Sequence, residues 1–549
     1  MKKIKNFLNT YSLSILAGFF IGTSYIPLPP WANLFCFVPI WLLWQKLANE
    51  SSPYKKIFIA GWITQFILTL LGFNWITFTA HEFGYLPWPL AFCVLMIFCA
   101  FANLDIPLAG VCWFYFQKKL KLSAPKSLAL MAIITALFEA WVPTLFPWNY
   151  GYPWLWANLP IAQTAELIGF QGISSIVILI NVGSYYIWQS LKSYQTQPNN
   201  KNKRQLLLTF CATAGAFVFL NIAGVGLKKS LPQTDSEINA VIIQANIGNL
   251  QKQQAEKGWE FREYITGRYV DLSKKALSEI QSHNDTTVDF VLWPETAYPY
   301  DIDQRYWSTE SALQKHYPPA ARTLIDLSQD LGTNLLIGGY GYSPQDGKLT
   351  NTFFVIEKNG EIQPHPYYKT ILLAFGEYIP GDQYIPPKIR ELIPAGDFSR
   401  GTGPQIIQIE SPDLKIGPQI CYESLFPSFT KNLSDLGAEV IFNVTNDSWY
   451  GTWQEPYQHL YMTLARAIEY RRPLIRTTNT GISTAILADG TILQKSPLNQ
   501  EWTGLFKIPY KKNPTATFYQ LYPWLIDSLL IFLLLLIIGR ASFERVKKS

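Results

Sequence analysis

The chain has 549 residues, 49% hydrophobic and only 15% charged, with a net charge of +6. An average soluble protein carries about 25% charged residues, so this composition, with its 19 Trp, 30 Tyr and 34 Phe, argues against a wholly soluble chain. A mean hydropathy of +0.07 argues equally against a chain that is membrane throughout, and Lys and Arg gathered in loops beside apolar segments do not form a nucleic-acid footprint.

A spanning helix needs about 20 mostly apolar residues. Eight segments meet that length: 11–29, 31–48, 57–79, 88–116, 127–146, 161–189, 205–226 and, after a long gap, 520–539. The basic start MKKIK and the apolar run behind it resemble a signal peptide, but no small-residue cleavage site follows, so the first helix is expected to be retained. Segments 88–116 and 161–189 are long and carry polar or Pro interruptions such as Asp105-Ile106-Pro107.

The loops set the orientation. MKKIK, QKLANESSPYKK (45–56), QKKLKLSAPK (117–126), KNKR (201–204) and the tail RASFERVKKS (540–549) are basic. The alternate loops PLPP, HEFGYLP (81–87) and PWNYGYPWLWANLP (147–160) contain no Lys or Arg. The positive-inside rule then puts both termini in the cytoplasm and the long insert on the outer face. The expected organisation is seven helices in 1–227, an outer-face domain in 228–519, and an eighth helix with a cytoplasmic tail in 520–549.

Within the insert, β-branched and apolar runs at 238–247, 288–295, 334–342, 351–362, 414–423, 438–447 and 474–487 predict strands. Helical patterns at 259–282, 318–331, 424–436 and 455–470 alternate with several of them, which implies a layered α/β domain. EKNGEI and LADGTIL read as hairpin turns, because Asn-Gly and Asp-Gly supply the left-handed positions.

Strand-end residues in such folds are well placed to form sites. They include Glu295 in VLWPETA, Cys421 in PQICYE, and Asn446 and Asp447 in FNVTNDSWYG, with Lys369 in the loop YYKTILLAFGEYIP. Each alone has an ordinary explanation: a helix cap, a buried hydrophobe, a turn, a solvated lysine. Cys421 is the only cysteine of the insert, whereas an oxidising compartment normally pairs its cysteines. It is therefore either well buried or kept free for chemistry. A thiol nucleophile needs a base and a group to hold the oxyanion. Of the five histidines, His81 lies in a membrane loop, His283, His316 and His365 in polar contexts, and His459 in a helix. None has a neighbourhood that argues for a Cys–His pair, which leaves a carboxylate base with a lysine partner.

Six motifs in order carry a resemblance: WPETA (293–297), YYKTILLAFGEYIP (367–380), ICYESLFP (420–427), GAEVIFNVTNDSWYG (437–451), QHLYMTLARAIEYRRPLIRTTNTGIS (458–483) and ADG (488–490). The chain resembles the nitrilase superfamily and, within it, the bacterial apolipoprotein N-acyltransferases. The resemblance implies a multi-pass helical membrane domain of eight spans plus an α-β-β-α sandwich, in the bacterial inner membrane with the sandwich in the periplasm. It implies Glu295 as general base, Lys369 as oxyanion stabiliser and Cys421 as nucleophile, supported by Glu377, Tyr422 and Glu423. Lys369 is also expected to lower the pKa of the thiol. The implied substrates are a phospholipid acyl donor and a diacylated apolipoprotein acceptor, handled by a monomer among membrane lipids, without metal, cofactor or nucleic acid. The chain departs from the family in carrying Ile371 and Ala374 where His and Pro are common. Two other readings remain at this point: a membrane-tethered amidase using the same three residues, and a transporter or scaffold with a degenerate domain. The loops ILLAF (371–375) and SWYGTW (448–453) either dip into the lipid interface or pack internally.

Overall fold

The computed structural model describes residues 2–248, 259–283, 286–301, 319–390 and 396–547. The chain divides into two compact units, one comprising Met1–Thr77, Leu86–Ser230 and Leu521–Ser549, the other Phe78–Tyr85 and Leu231–Gln520.

In the first unit, six helices among the described residues are long and apolar enough to cross a membrane: Pro53–Gly72, Trp88–Leu120, Ala124–Trp141, Pro160–Thr196, Asn200–Lys229 and Leu525–Val546. They correspond to the last six predicted spans. The helix of Trp88–Leu120 is interrupted between Phe101 and Asp105, ahead of Pro107. That of Pro160–Thr196 is kinked at Gly169, whose φ of +66° suits glycine.

The N-terminal stretch differs from the two spans predicted there. Helix Lys2–Gly22 begins earlier, on Lys2, Lys3 and Lys5, and ends at Gly22 rather than residue 29. In place of a span over 31–48 the chain forms turns up to Phe37 and a ten-residue helix, Val38–Leu47. Such a helix is only about 15 Å long, about half the hydrocarbon thickness of a bilayer. The non-helical backbone before it is held by Asn181, whose Oδ1 accepts the Phe37 N–H at 2.8 Å while its Nδ2 donates to the Asn33 carbonyl at 2.7 Å. Irregular backbone is tolerated at membrane depth only when protein groups satisfy it in this way.

The second unit is a helix–sheet–sheet–helix sandwich. One sheet has six strands in the order β11-β1-β2-β3-β4-β5: β1 Ser236–Gln244, β2 Phe290–Asp301, β3 Asn334–Tyr342, β4 Leu349–Ile356, β5 Tyr367–Tyr368 and β11 Trp502–Tyr510. The other has five in the order β10-β9-β8-β7-β6: β6 Ile407–Ile409, β7 Leu414–Ile420, β8 Val440–Thr445, β9 Leu474–Thr478 and β10 Thr484–Ile486. β1, β2 and β3 run parallel, as do β7, β8 and β9, with antiparallel strands at the edges.

Strand alternation explains the layering. Val241, Ile243, Val291, Trp293, Leu335 and Ile337 form one core with Ile265, Tyr269 and Leu272 of helix Trp259–His283 and Leu324 and Leu327 of helix Pro319–Leu331. Their neighbours Ile242, Leu292 and Leu336 are equally buried and, by the period of two, point toward the second sheet. There Phe290 meets Phe442 edge-on at 5.6 Å. Burying each such side chain is worth about 1.5–3 kcal/mol, so the sandwich is a rigid platform for whatever projects from its strand ends.

Both predicted hairpin turns form, with Gly360 at φ +87° and Gly490 at φ +81°. The predicted strand 474–487 is two strands, β9 and β10, and β11 escapes the sequence pattern because Gly504 and Pro509 interrupt it. Proline is tolerated on an edge strand, and β11 is one, paired antiparallel with β1 from Ser236↔Tyr510 to Gln244↔Trp502.

Candidate active site

Glu295 sits where the β2–β3 ladder breaks, between the pairs Trp293↔Ile337 and Tyr298↔Gly339. A bulge of this kind re-aims a side chain out of the pleat. It needs glycine on the facing strand: a Cβ on Gly338 would lie 2.4 Å from the Pro294 carbonyl oxygen. Lys369 follows the two-residue β5, its N–H donating to the Asn351 carbonyl of β4 at 2.9 Å. The side chain is 2% exposed.

The Lys369 ammonium lies 3.1 Å from Glu295 Oε1 and 2.8 Å from Glu377 Oε1. The Asn351 side-chain amide donates to the same two oxygens, at 2.6 and 3.1 Å. Glu377 Oε2 accepts the Leu373 N–H at 2.8 Å. One cation is thus shared by a buried carboxylate, Glu295, and a half-buried one, Glu377. Burial alone would push the lysine pKa down, but Glu295 and then Glu377 outweigh it and hold the ammonium well above its ordinary value.

Cys421 ends β7 and begins a 3₁₀ turn, Cys421–Leu425. Its φ is +51°, a left-handed conformation that costs a non-glycine residue about 1–2 kcal/mol and clusters at functional sites. Burial and then the charge of Glu295 push its thiol well up. Lys369 pulls the other way, as does the hydrogen bond with the Thr445 side chain, without prevailing. Lys369 thus acts in the expected direction, but burial and Glu295 outweigh it and the lysine is also engaged by two carboxylates, so the resting group is the neutral thiol.

Glu423 joins the two halves of the site. Its Oε2 accepts the Ile420 N–H at 2.7 Å; its Oε1 accepts the Tyr367 hydroxyl at 2.5 Å and the N–H groups of Thr370 and Ile371 at 2.6 and 3.1 Å. Burial pushes its carboxyl up to about 7, against the pull of the Tyr367 hydroxyl and the Ile420 and Thr370 N–H groups. Tyr422 is buried and packs edge-on against Phe426 at 5.0 Å. Replacing Glu423 with Gln turns one acceptor into a donor facing donors. The expected loss is about 3 kcal/mol of stability, read as a lower melting temperature; an unchanged melting temperature would refute the bridging role.

Behind Cys421 lies a second ionic group. His459 Nδ1 is 3.0 Å from Asp447 Oδ1 and 3.4 Å from Glu455 Oε1, while Arg476 donates to Asp447 Oδ2 at 2.8 Å. Donor atoms of Asp447, Glu455 and His459 lie within 4.8 Å of one another, a spacing suited to a metal. The guanidinium already on Asp447 makes the pocket a better host for a proton than for a second cation.

Two family models match the chain: Carbon-nitrogen hydrolase over residues 243–511 and Apolipoprotein N-acyltransferase N-terminal domain over residues 17–183. A Bdellovibrio bacteriovorus protein named apolipoprotein N-acyltransferase is 44% identical over 540 residues, which is 97% of this chain and 94% of that protein. The chain belongs to the apolipoprotein N-acyltransferase family. A second member, from Geobacter metallireducens, is 28% identical over 89% of this chain and 88% of its own. Among solved structures, an amidase of the nitrilase superfamily from Nesterenkonia is similar at 17% identity and a TM-score of 0.35, over 51% of this chain and 93% of its own. Membership makes this chain an acyltransferase of the nitrilase superfamily.

Within that family frame, the structure brings Glu295, Lys369 and Glu377 into one cluster, of which Glu295 and Lys369 act electrostatically on Cys421, and ties Glu423 to the loop carrying Lys369. Asn446 is buried at the end of β8, where it accepts from the Asn479 amide at 3.1 Å. In the two apolar loops, Leu372 is buried, whereas Phe375 and Trp453 are more than half exposed. Trp449 packs edge-on against Phe83 of the Phe78–Tyr85 segment at 5.0 Å. Asn351 went unnoticed in the sequence because it sits inside an apolar strand. Arg476, a charge within the apolar run LIRTT, was the available signal for the ionic group behind Cys421.

Proposed function

We propose that this chain moves an acyl group from a membrane phospholipid to the α-amino group of the N-terminal diacylglyceryl-cysteine of an apolipoprotein, in two steps through a thioester on Cys421. The observation that carries the reading is the buried Glu295–Lys369 pair, braced by Glu377, whose charges act on the neutral thiol of a cysteine in a left-handed turn.

In the first step the sulfur attacks the ester carbonyl carbon as Glu295 takes the thiol proton. The Lys369 ammonium faces the oxyanion of the tetrahedral intermediate, the placement from which such charges are most effective. Collapse breaks the bond to the glycerol oxygen, Glu295 returns the proton to that oxygen, and lysophospholipid leaves. In the second step the neutral fraction of the amine, whose ordinary pKa is about 8, attacks the thioester. Glu295 takes the amine proton, the C–S bond breaks, and the thiol is restored as the amide departs.

We further propose eight membrane crossings, the second a turn-and-helix segment ending in Val38–Leu47, with both termini cytoplasmic and 228–519 on the periplasmic side of the inner membrane. The boundaries 1–227, 228–519 and 520–549 and a monomeric enzyme belong to the same reading. The loop charges of the sequence support it. The transporter alternative is disfavoured because Glu139, an ionisable group near a span end, is engaged by the Tyr150 N–H, Ser174 and Gln171 at 3.0, 2.5 and 3.1 Å. The amidase alternative differs only in whether water resolves the thioester.

Incubating the purified chain with acyl-labelled phospholipid and no acceptor is expected to place label on the peptide containing Cys421, releasable by hydroxylamine. Adding a diacylated lipopeptide should then discharge it as amide. Free fatty acid as the sole product would favour the amidase, and absence of label would overturn the two-step scheme.

A further inference from the structure

The mechanism above leaves the ionic group behind Cys421 unused. His459, Asp447 and Arg476 are 4%, 2% and 0% exposed. His459 Nε2 lies 3.4 Å from the carbonyl oxygen of Cys421, which also accepts the Ser424 hydroxyl at 3.0 Å. Ser424 is 2.7 Å from Thr463 Oγ1 and 3.5 Å from His459 Nε2. Nδ1 of His459 faces Asp447 and Glu455, and Nε2 faces the Cys421 carbonyl, with the Ser424 hydroxyl at a longer 3.5 Å and directed to that same carbonyl at 3.0 Å. The doubly protonated imidazolium donates on both sides; a neutral ring donating to Asp447 would set a lone pair against the carbonyl.

Electrostatics agree with the geometry. Burial and Arg476 push the imidazole down, but Asp447 and Glu455 outweigh them and hold it above its usual value. Burial would raise Asp447, yet Arg476 and His459 hold it at about 2. Among the charges acting on the Cys421 thiol, Glu295 and Asp447 disfavour its ionisation and Lys369 favours it.

We propose that His459 is a positioning residue for the nucleophile: as an imidazolium it ties the Cys421 carbonyl to the Asp447–Arg476 pair, fixes the left-handed turn, and offsets the Asp447 charge that opposes thiolate formation. The inference rests on Cys421 being the nucleophile. It assigns His459 a role through the backbone and the local field rather than as the base.

The test compares the full-length chain with His459→Gln, which keeps a neutral donor but removes the charge. The first readout is the pH dependence of Cys421 alkylation by iodoacetamide, followed on its own peptide. The second is the division of the transfer rate between kcat and KM. The alkylation profile is expected to move up by about one pH unit, which is a tenfold change in thiolate. A kcat roughly 10- to 100-fold lower with an unchanged KM should accompany it. An unchanged profile in folded His459→Gln would overturn the proposal. Should that variant not fold, ¹⁵N-histidine spectra of the unaltered chain decide: one of its five imidazoles must stay doubly protonated well above its ordinary pKa of about 6.5, and titration of all five near that value refutes the role. Alkylation does not depend on acyl transfer, so a failed labelling experiment and a failed His459 role remain distinguishable.

Discussion

Replacing Cys421 with serine is expected to lower acyl transfer by about 10⁴-fold or more, or about 5.5 kcal/mol of transition-state stabilisation, while leaving the fold intact. The hydroxyl occupies nearly the space of the thiol, and the turn at φ +51° is held by contacts of Ile420, Glu423, Ser424 and His459 rather than by sulfur. What changes is acidity. An ordinary thiol has a pKa near 8.5, and here burial and Glu295 already drive it upward. If Glu295 is the base, as proposed, it works against a poor acid even in the unaltered chain, and a hydroxyl lies beyond its reach. The check is transfer of labelled acyl groups to a lipopeptide, with melting temperature as the control for folding. A serine variant retaining more than about 1% of the rate would remove Cys421 from the nucleophile's role.

The second large effect is expected from Lys369→Met, which keeps much of the stem and deletes the charge. Glu295 and Glu377 would then share only the Asn351 amide, which donates to both at 2.6 and 3.1 Å. Removing one partner of a buried ion pair costs about 3–5 kcal/mol. Lys369→Met should therefore melt well below the parent at pH 8. On the proposed mechanism transfer should fall by about 10³-fold or more, because the oxyanion loses its cation. Parent-like melting at pH 8 would show that the lysine does not hold the carboxylates in place.

Much of this site was legible because its residues lie at the ends of strongly patterned elements. β3 and helix Glu455–Tyr470 have the bounds that their apolar periodicity predicts, and the motif order pointed to Glu295, Lys369, Glu377, Cys421 and Glu423. Residues whose role depends on contacts across the sandwich were not legible. Asn351 is an ordinary strand residue until Glu295 and Glu377 are seen beside it. His459 was set aside because nothing near it in sequence suggested a Cys–His pair, and its contact with Cys421, 38 residues away, is to the carbonyl rather than the sulfur. The run 414–423 read as one strand because nothing in its apolar pattern marks the left-handed turn at Cys421. At the N-terminus, hydropathy registered apolar residues at 31–48 but not that Asn181 would stabilise turns among them.

The Glu423 bridge has a mechanical consequence. Because one carboxylate grips Ile420 on one side and Tyr367, Thr370 and Ile371 on the other, the Cys421 turn and the Lys369 loop are clamped into a single piece. Separating them would tear four hydrogen bonds from one buried side chain, whereas Phe375 and Tyr384, later in the same stretch of chain, stand 53% and 83% exposed outside that clamp.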